Sequence, residues 1–371
     1  MSLRAWIVPG VAVAGLSVAA VAPSRLAPTA LALSARVSAP SQQAVIPLPR
    51  GYVAFRTTTA VRMDGLLDDD SWQVPWTDAF VDIEGRLKER PRLDTRVKMI
   101  WDADYFYVAA ELREPHVWAT LTAHDSVIFQ DPDFEVFIDP NGDNHEYYEF
   151  EMNALGTTWD LFLPKPYKDD GRPLNNWEIP GLLKAIHIDG TINNPVDTDR
   201  GWSIELAFPW RALAEQARRP APPTEGDQWR VNFSRVEWPI DTRTGRYEKP
   251  KGAREDNWVW SPQHVVDMHR PDRWGYVQFT TRLPDRVSFV ADPSWPAREW
   301  LHRVYYAQRE YRRVNNRWAA TLGDLAAGPM PAGLQNPSMT VSDSLFEVSV
   351  VVAGSSRCEI RQDSLIRCEP T

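Results

Sequence analysis

From Tyr52 to about residue 281 the chain alternates apolar and polar positions with a period of two, the signature of half-buried strands. In "TRVKMIWDADYFYVAAELRE" two apolar runs flank the turn Asp102-Ala103-Asp104, which predicts a hairpin. "DFEVFID" and "YYEFEMN" predict a second pair around Pro140-Asn141-Gly142. "GWSIELAFPW" reads as a strand ending at Pro209, followed by a short helix in "RALAEQARR"; "DQWRVNFSRVEW" and "RWGYVQFT" read as further strands. Many short strands with one brief helix predict a mainly β fold, an antiparallel, jelly-roll-like β-sandwich over residues 51–281.

After Arg282 the period lengthens. Trp300, Leu301, Val304, Tyr305 and then Gln308 or Tyr311 fall on one face of a helix, with Pro296 suited to its first turn. "AATLGDLAAGPMPAGLQNPS" reads as a loop, "SLFEVSVVV" as a strand, and "RCEIRQDSLIRC" as a hairpin that sets Cys358 opposite Cys368. Residues 282–371 are therefore expected to form a small α+β extension. The two cysteines are the only ones in the chain, and a disulfide between them is expected in an exported protein.

Export is itself read from the amino terminus. An early Arg4, an apolar run from Ala5 to Ala22 and the small-residue sequence Ala30-Leu31-Ala32 predict a signal peptide over residues 1–32, and residues 33–50 a flexible leader. The mature protein is then expected in the periplasm or outside the cell, with no stable membrane insertion. A net charge of -9 with interspersed signs argues against a nucleic-acid partner. The 17 Trp exceed ordinary usage, enough to serve both a core and exposed stacking platforms. Trp72 is read as a structural anchor.

The densest chemistry lies in "FQDPDFEVFIDPNGDNHEYYEFEMN", Phe129 to Asn153. Alternation turns Phe134, Val136, Ile138, Tyr148, Phe150 and Met152 to the core, and Glu135, Phe137, Asp139, Tyr147, Glu149, Glu151 and Asn153 to the other face. Carboxylates, an amide and rings on one face suit a sugar, whose hydroxyls need donors and acceptors and whose C–H faces need flat surfaces. Asp139, Asn141 and Asp143 imitate the start of a calcium loop, but Asn144 replaces its Gly and Phe150 its Glu, so residues 140–146 read as a solvated hairpin tip. Glu135 with Glu149 or Glu151 could also supply the two carboxylates of a glycoside hydrolase, which stand about 5 to 9 Å apart.

Six segments in order, "RMDGLLDDDSWQ", "VKMIWDADYFYVAAELRE", "DPDFEVFIDPNGDNHEYYEFEMN", "GWSIELAFPW", "DQWRVNFSRVE" and "WSPQHVVDMHRPDRWGYVQF", give residues 52–280 a pattern that resembles carbohydrate-binding module family 9 and its relatives. The resemblance implies a β-sandwich with a sugar site and no catalysis of its own; bound calcium is also known in that family. It places the first of two sugar-stacking rings at Phe129, six residues before the matching carboxylate Glu135, and the second at Met268, which offers no flat face. An Arg of the family corresponds to Glu151, and the following Asn to Asn153. His269 or Trp258 could replace the lost ring, and Arg235 could add a donor.

The resulting expectation is non-catalytic carbohydrate binding by Phe129, Glu135, Glu149, Glu151, Asn153, Arg235, Met268 and His269, with no catalytic residue. No cofactor is established; calcium is a candidate whose ligands are left open. Two alternatives are a glycoside hydrolase using paired Glu, and an interaction scaffold whose Arg309, Arg312, Arg313 and Arg317 dock an envelope protein partner.

Overall fold

The structure is a computed structural model and describes residues 44–371. The expected signal peptide, and residues 33–43 of the expected leader, lie outside the described residues. The last leader residues are held against the body: the Ile46 amide donates to Glu299 Oε1 and Arg50 Nη1 to the Ala79 carbonyl.

In chain order the strands are β1 (Gly51–Arg56), β2 (Val81–Asp82), β3 (Thr95–Trp101), β4 (Tyr105–Arg113), β5 (Asp133–Asp139), β6 (Tyr147–Asn153), β7 (Thr158–Leu163), β8 (Leu183–Asp189) and β9 (Gly201–Pro209). Helix α1 (Trp210–Ala217) follows, then β10 (Gln228–Glu237), β11 (Asp256–Val259) and β12 (Gly275–Thr280). The extension contains α2 (Trp295–Asn315), β13 (Leu334–Val341), β14 (Phe346–Val352), β15 (Ser356–Arg361) and β16 (Ile366–Pro370).

The first twelve strands form one sheet in the order β7-β6-β5-β10-β12-β1-β3-β4-β9-β8, with β11 and β2 branching from β10. It curls into a β-sandwich. The apolar faces of β5 and β6 (Phe134, Val136, Ile138, Tyr148, Phe150, Met152) share one core with those of β3, β4 and β9 (Val97, Met99, Phe106, Val108, Ile204, Leu206). Phe150 and Phe208 meet edge to face across that core at 5.8 Å. The pairing is not wholly antiparallel as expected: β1 lies between β12 and β3 and runs parallel to both, joining the two halves. Trp72 is buried and donates its indole N–H to Glu205, in the anchoring role read for it.

In the extension, Trp300, Leu301, Val304 and Tyr305 of α2 pack on Phe346, Val348, Val350, Ile360 and Ile366. Gln308 is the buried continuation of that face; its side chain donates to the Ala319 carbonyl and accepts from the Ala319 amide. Cys358 pairs with Cys368 in register and the disulfide is formed. One segment read as loop is a strand: "LQNPSMTV" is β13, at the edge of the four-stranded sheet, where Pro337 costs no inner ladder bond and the register shifts between Gln335 and Ser338.

Candidate functional site

Register sets the candidate residues side by side. Asp133 faces Asn153, Glu135 faces Glu151 and Phe137 faces Glu149 across β5 and β6. Their common face points away from the main core, as the alternation predicts. It is not open sheet. Ile83, Phe137, Tyr147, Leu161, Leu163, Val259, Met268 and Trp274 build a second small core over its lower half, leaving Glu135 and Glu149 5% exposed and Glu151 2%.

Such burial disfavours ionised carboxylates. Loss of water pushes Glu135 up to about 7. Burial, then the neighbouring charge of Glu135, holds Asp133, Glu149 and Glu151 well above the usual carboxylate range. Glu151 Oε2 accepts the Phe129 amide at 3.1 Å, whereas Glu149 Oε2 and Asp133 Oδ2 are buried without a hydrogen-bond partner. Neutral carboxyls in this setting can both donate and accept.

Phe129 is half-buried beside this cluster, and its carbonyl accepts the Trp238 indole N–H. Met268 lies in the small core at 9% exposure, its carbonyl taken by the Trp274 indole and the Arg270 amide. His269 reaches the same face: it hydrogen-bonds Tyr147 Oη at 2.9 Å and stands 3.9 Å from Glu149. Burial, then the Lys168 charge, lowers its pKa to about 3, so the ring is neutral.

Two expected sugar contacts are otherwise engaged. Arg235 has the parity of Val231 and Phe233 and therefore points inside the sandwich. It is 1% exposed and bonded to Glu114, Glu237, Thr95 Oγ1 and the Arg113 carbonyl. Asn153 is fully buried; it donates to the Leu121 carbonyl and Asp131 and accepts the Leu155 and Thr157 amides, which fixes the turn into β7. Trp258 belongs to the main core, so it cannot replace the second ring.

Tyr167, which the sequence reading did not single out, takes a better position. The residue is 42% exposed, and its ring packs edge-on against His269 at 4.3 Å. Burial of its hydroxyl, then the charges of Glu149 and Glu151, raises its pKa to about 12. The one sequence signal was an aromatic between Pro166 and a charged run in "LPKPYKDD". Trp159, directly across from Glu151 on β7 and partly buried, borders the same face.

The loop that imitates a calcium site does not fit an ion. Asp139 accepts the Gly142 and Asn144 amides, Asn141 accepts the Asp143 amide and Asp143 the His145 amide, so the side-chain oxygens serve their own turn. Nor is the tip solvated as expected. Asn144 donates to the Ser364 carbonyl at 2.8 Å, Arg298 to the Gly142 carbonyl at 2.8 Å, and the Ile366 amide to the Asp143 carbonyl at 3.1 Å. On the face of β5 and β6, Asp133, Glu135 and Glu151 bring one oxygen each within 4.8 Å of one another.

A cleft of about 570 Å³ lies apart from this face, where β10 and β12 meet the segment before α2 and the cysteine hairpin; Gln228, Arg230, Tyr276, Arg298, Ser356 and Pro370 are in its wall. Among the described residues no helix is long and apolar enough to cross a membrane.

The molecule is thus a curled β-sandwich with an acidic, aromatic-bordered face on the neighbouring strands β5 and β6. More particularly, the chain belongs to the carbohydrate family 9 binding domain-like family, whose model matches residues 63–281. Among solved structures, it is similar to a carbohydrate binding module family 9 from Caldicellulosiruptor kristjanssonii in complex with cellotriose, at 14% identity and TM-score 0.41 over 66% of this chain and 100% of that one. A module of that family from the same organism in complex with glucose gives 14% identity and TM-score 0.42 over 64% and 100%. No curated protein matches the chain.

Proposed function

We propose that this is an exported, non-catalytic carbohydrate-binding protein that holds a sugar at the outward face of β5 and β6. The observation that carries the reading is the convergence of Glu135, Glu149 and Glu151 on one face, with the Phe129 amide on Glu151 and exposed Tyr167 packed on His269, which stands 3.9 Å from Glu149, in a chain of this family. The carboxyls would bond hydroxyls and the two rings would pack on C–H faces, each good polar contact adding about 1 kcal/mol net. Export to the periplasm or exterior rests on the amino-terminal sequence and agrees with the disulfide.

Glu135 and Glu151 lie side by side on neighbouring strands, on one side of any sugar the face could hold, rather than flanking a scissile bond. That arrangement favours binding over hydrolysis. The depth of burial of the three Glu side chains favours the second reading, an interaction scaffold for an envelope protein. A glycan array with purified mature protein, followed by calorimetry on the best ligand, separates the two. Binding is expected, and Phe129→Ala and Tyr167→Ala are each expected to weaken it about tenfold or more. No glycan bound, or affinity unchanged in both variants, would overturn the proposal.

A further inference from the structure

We infer that the cleft where β10 and β12 meet the extension is a second ligand site, built for a small acidic sugar that carries one carboxylate. The choice of a saccharide rests on the carbohydrate reading proposed above; the choice of a negative charge rests on the cleft alone. Its floor is the outward face of the sheet, opposite in parity to the core residues Val231 and Val277. There Gln228 and Arg230 of β10 stand in register with Gln278 and Tyr276 of β12. The segment before α2 and the cysteine hairpin complete the wall, and a volume of about 570 Å³ is usual for a small-molecule site.

Arg230 is the residue that points to a ligand. Among the described residues four arginines are buried: Arg230, Arg235, Arg270 and Arg303. Arg235 pairs with Glu114 and Glu237, Arg270 with Asp272 and Arg303 with Glu299, whereas Arg230, 5% exposed, has no carboxylate within ion-pair distance. Its guanidinium lies over the Tyr276 ring at 4.1 Å and its Nη2 donates to the Trp274 carbonyl at 2.6 Å, but its Nε is buried with no hydrogen-bond partner. The acid beside it in register, Asp139 on β5, gives its two oxygens to the Gly142 and Asn144 amides and meets Arg230 only through longer-range attraction. A guanidinium stays charged when buried, and a charge held out of water calls for a counter-charge. Arg219, Arg230 and Arg298 line the cleft against Asp227 and Asp292, one positive charge in excess within a chain of net charge -9. Both aspartates are engaged, Asp292 with Ser294 and Arg298 and Asp227 with Thr224. A single excess charge suits a carboxylate better than a doubly charged phosphate, and the planar guanidinium matches its geometry.

Calorimetry on the whole mature protein uses glucuronate and digalacturonate as probes. At least one is expected to bind, with an affinity that falls as salt rises. Neither glucose nor inorganic phosphate, each in tenfold excess over the probe, is expected to displace it. Arg230→Gln removes the charge and strands no carboxylate, so circular dichroism is expected to show the fold retained and uronate affinity to fall about tenfold or more. Ala291→Trp fills the cleft from an exposed position and is expected to weaken binding as much, which keeps the test open if Arg230→Gln does not fold. Neither uronate bound, displacement by glucose or phosphate, or affinity unchanged in the folded variants would overturn the inference. So would uronate binding that is lost in Phe129→Ala and kept in Arg230→Gln, because it would place the acidic sugar on the β5–β6 face. Neutral glycans on the array read that face separately, so either proposal can fail without the other.

Discussion

A polar side chain on a sheet is available to a ligand only where its neighbours make no claim on it. Asn153 and Arg235 have suitable chemistry, but the turn into β7 claims all of the first, and two interior carboxylates claim the second. Glu135, Glu149 and Glu151 are left without a charged basic partner, since the His269 ring 3.9 Å from Glu149 is neutral. Alternation alone showed which face each β5 and β6 residue takes; it could not show that Ile83, Val259 and Met268 pack on that face, because those contacts join segments far apart in sequence. Tyr167 was missed for the same reason, since its value comes from a neighbour more than a hundred residues away, His269. The buried carboxyls have a measurable consequence. Glu135 is raised from 4.5 to about 7, so its protonated form favours folding; that contribution is full below 4.5 and fades as pH rises through about 7. Glu135→Gln is therefore expected to gain stability over wild type as pH rises from 4.5 to about 7. Melting temperatures of both proteins across that range check it, and a gap independent of pH contradicts it.

At the scale of elements, hairpins whose partners are adjacent in sequence were legible, including the cysteine hairpin with its register. Elements defined by distant partners were less so. Parallel β1 depends on β12 and β3, and β13 hid behind its Pro because an edge strand tolerates a residue that an inner one does not. Loop 164–170 is tied to the extension through Asp169. Asp169 is buried there and accepts from Ser364 Oγ at 2.6 Å, Arg309 Nη1 at 2.9 Å, Lys168 Nζ at 3.1 Å and Tyr305 Oη. Those charges and donors hold its pKa below the usual range despite burial. Asp169→Ala strands the cationic partners and is expected to cost about 3 kcal/mol or more. Denaturant unfolding followed by limited proteolysis should then release α2 and β13–β16 before the sandwich; an unchanged midpoint with a single transition contradicts this.

For the whole molecule, sandwich and extension belong to one compact unit, joined through a polar seam. The tip of β5–β6 docks on Ser364 and Ile366, Tyr306 donates to Asp272, and Arg309 reaches Asp169. Of the arginine stripe expected to meet a partner, Arg309 serves this seam, Arg312 lies over Trp318, Arg313 pairs with Glu310 and Arg317 lies over Tyr311. The seam leaves the face of Glu135 and the cleft beside Arg230 as two separate places for a ligand. The most direct measurement is hydrogen–deuterium exchange of the mature protein with and without a bound glycan. Slowed exchange is predicted across residues 129–151 and around Tyr167; protection confined to the cleft strands near Arg230 and Tyr276, with the β5–β6 face unchanged, would contradict the assignment of the sugar site.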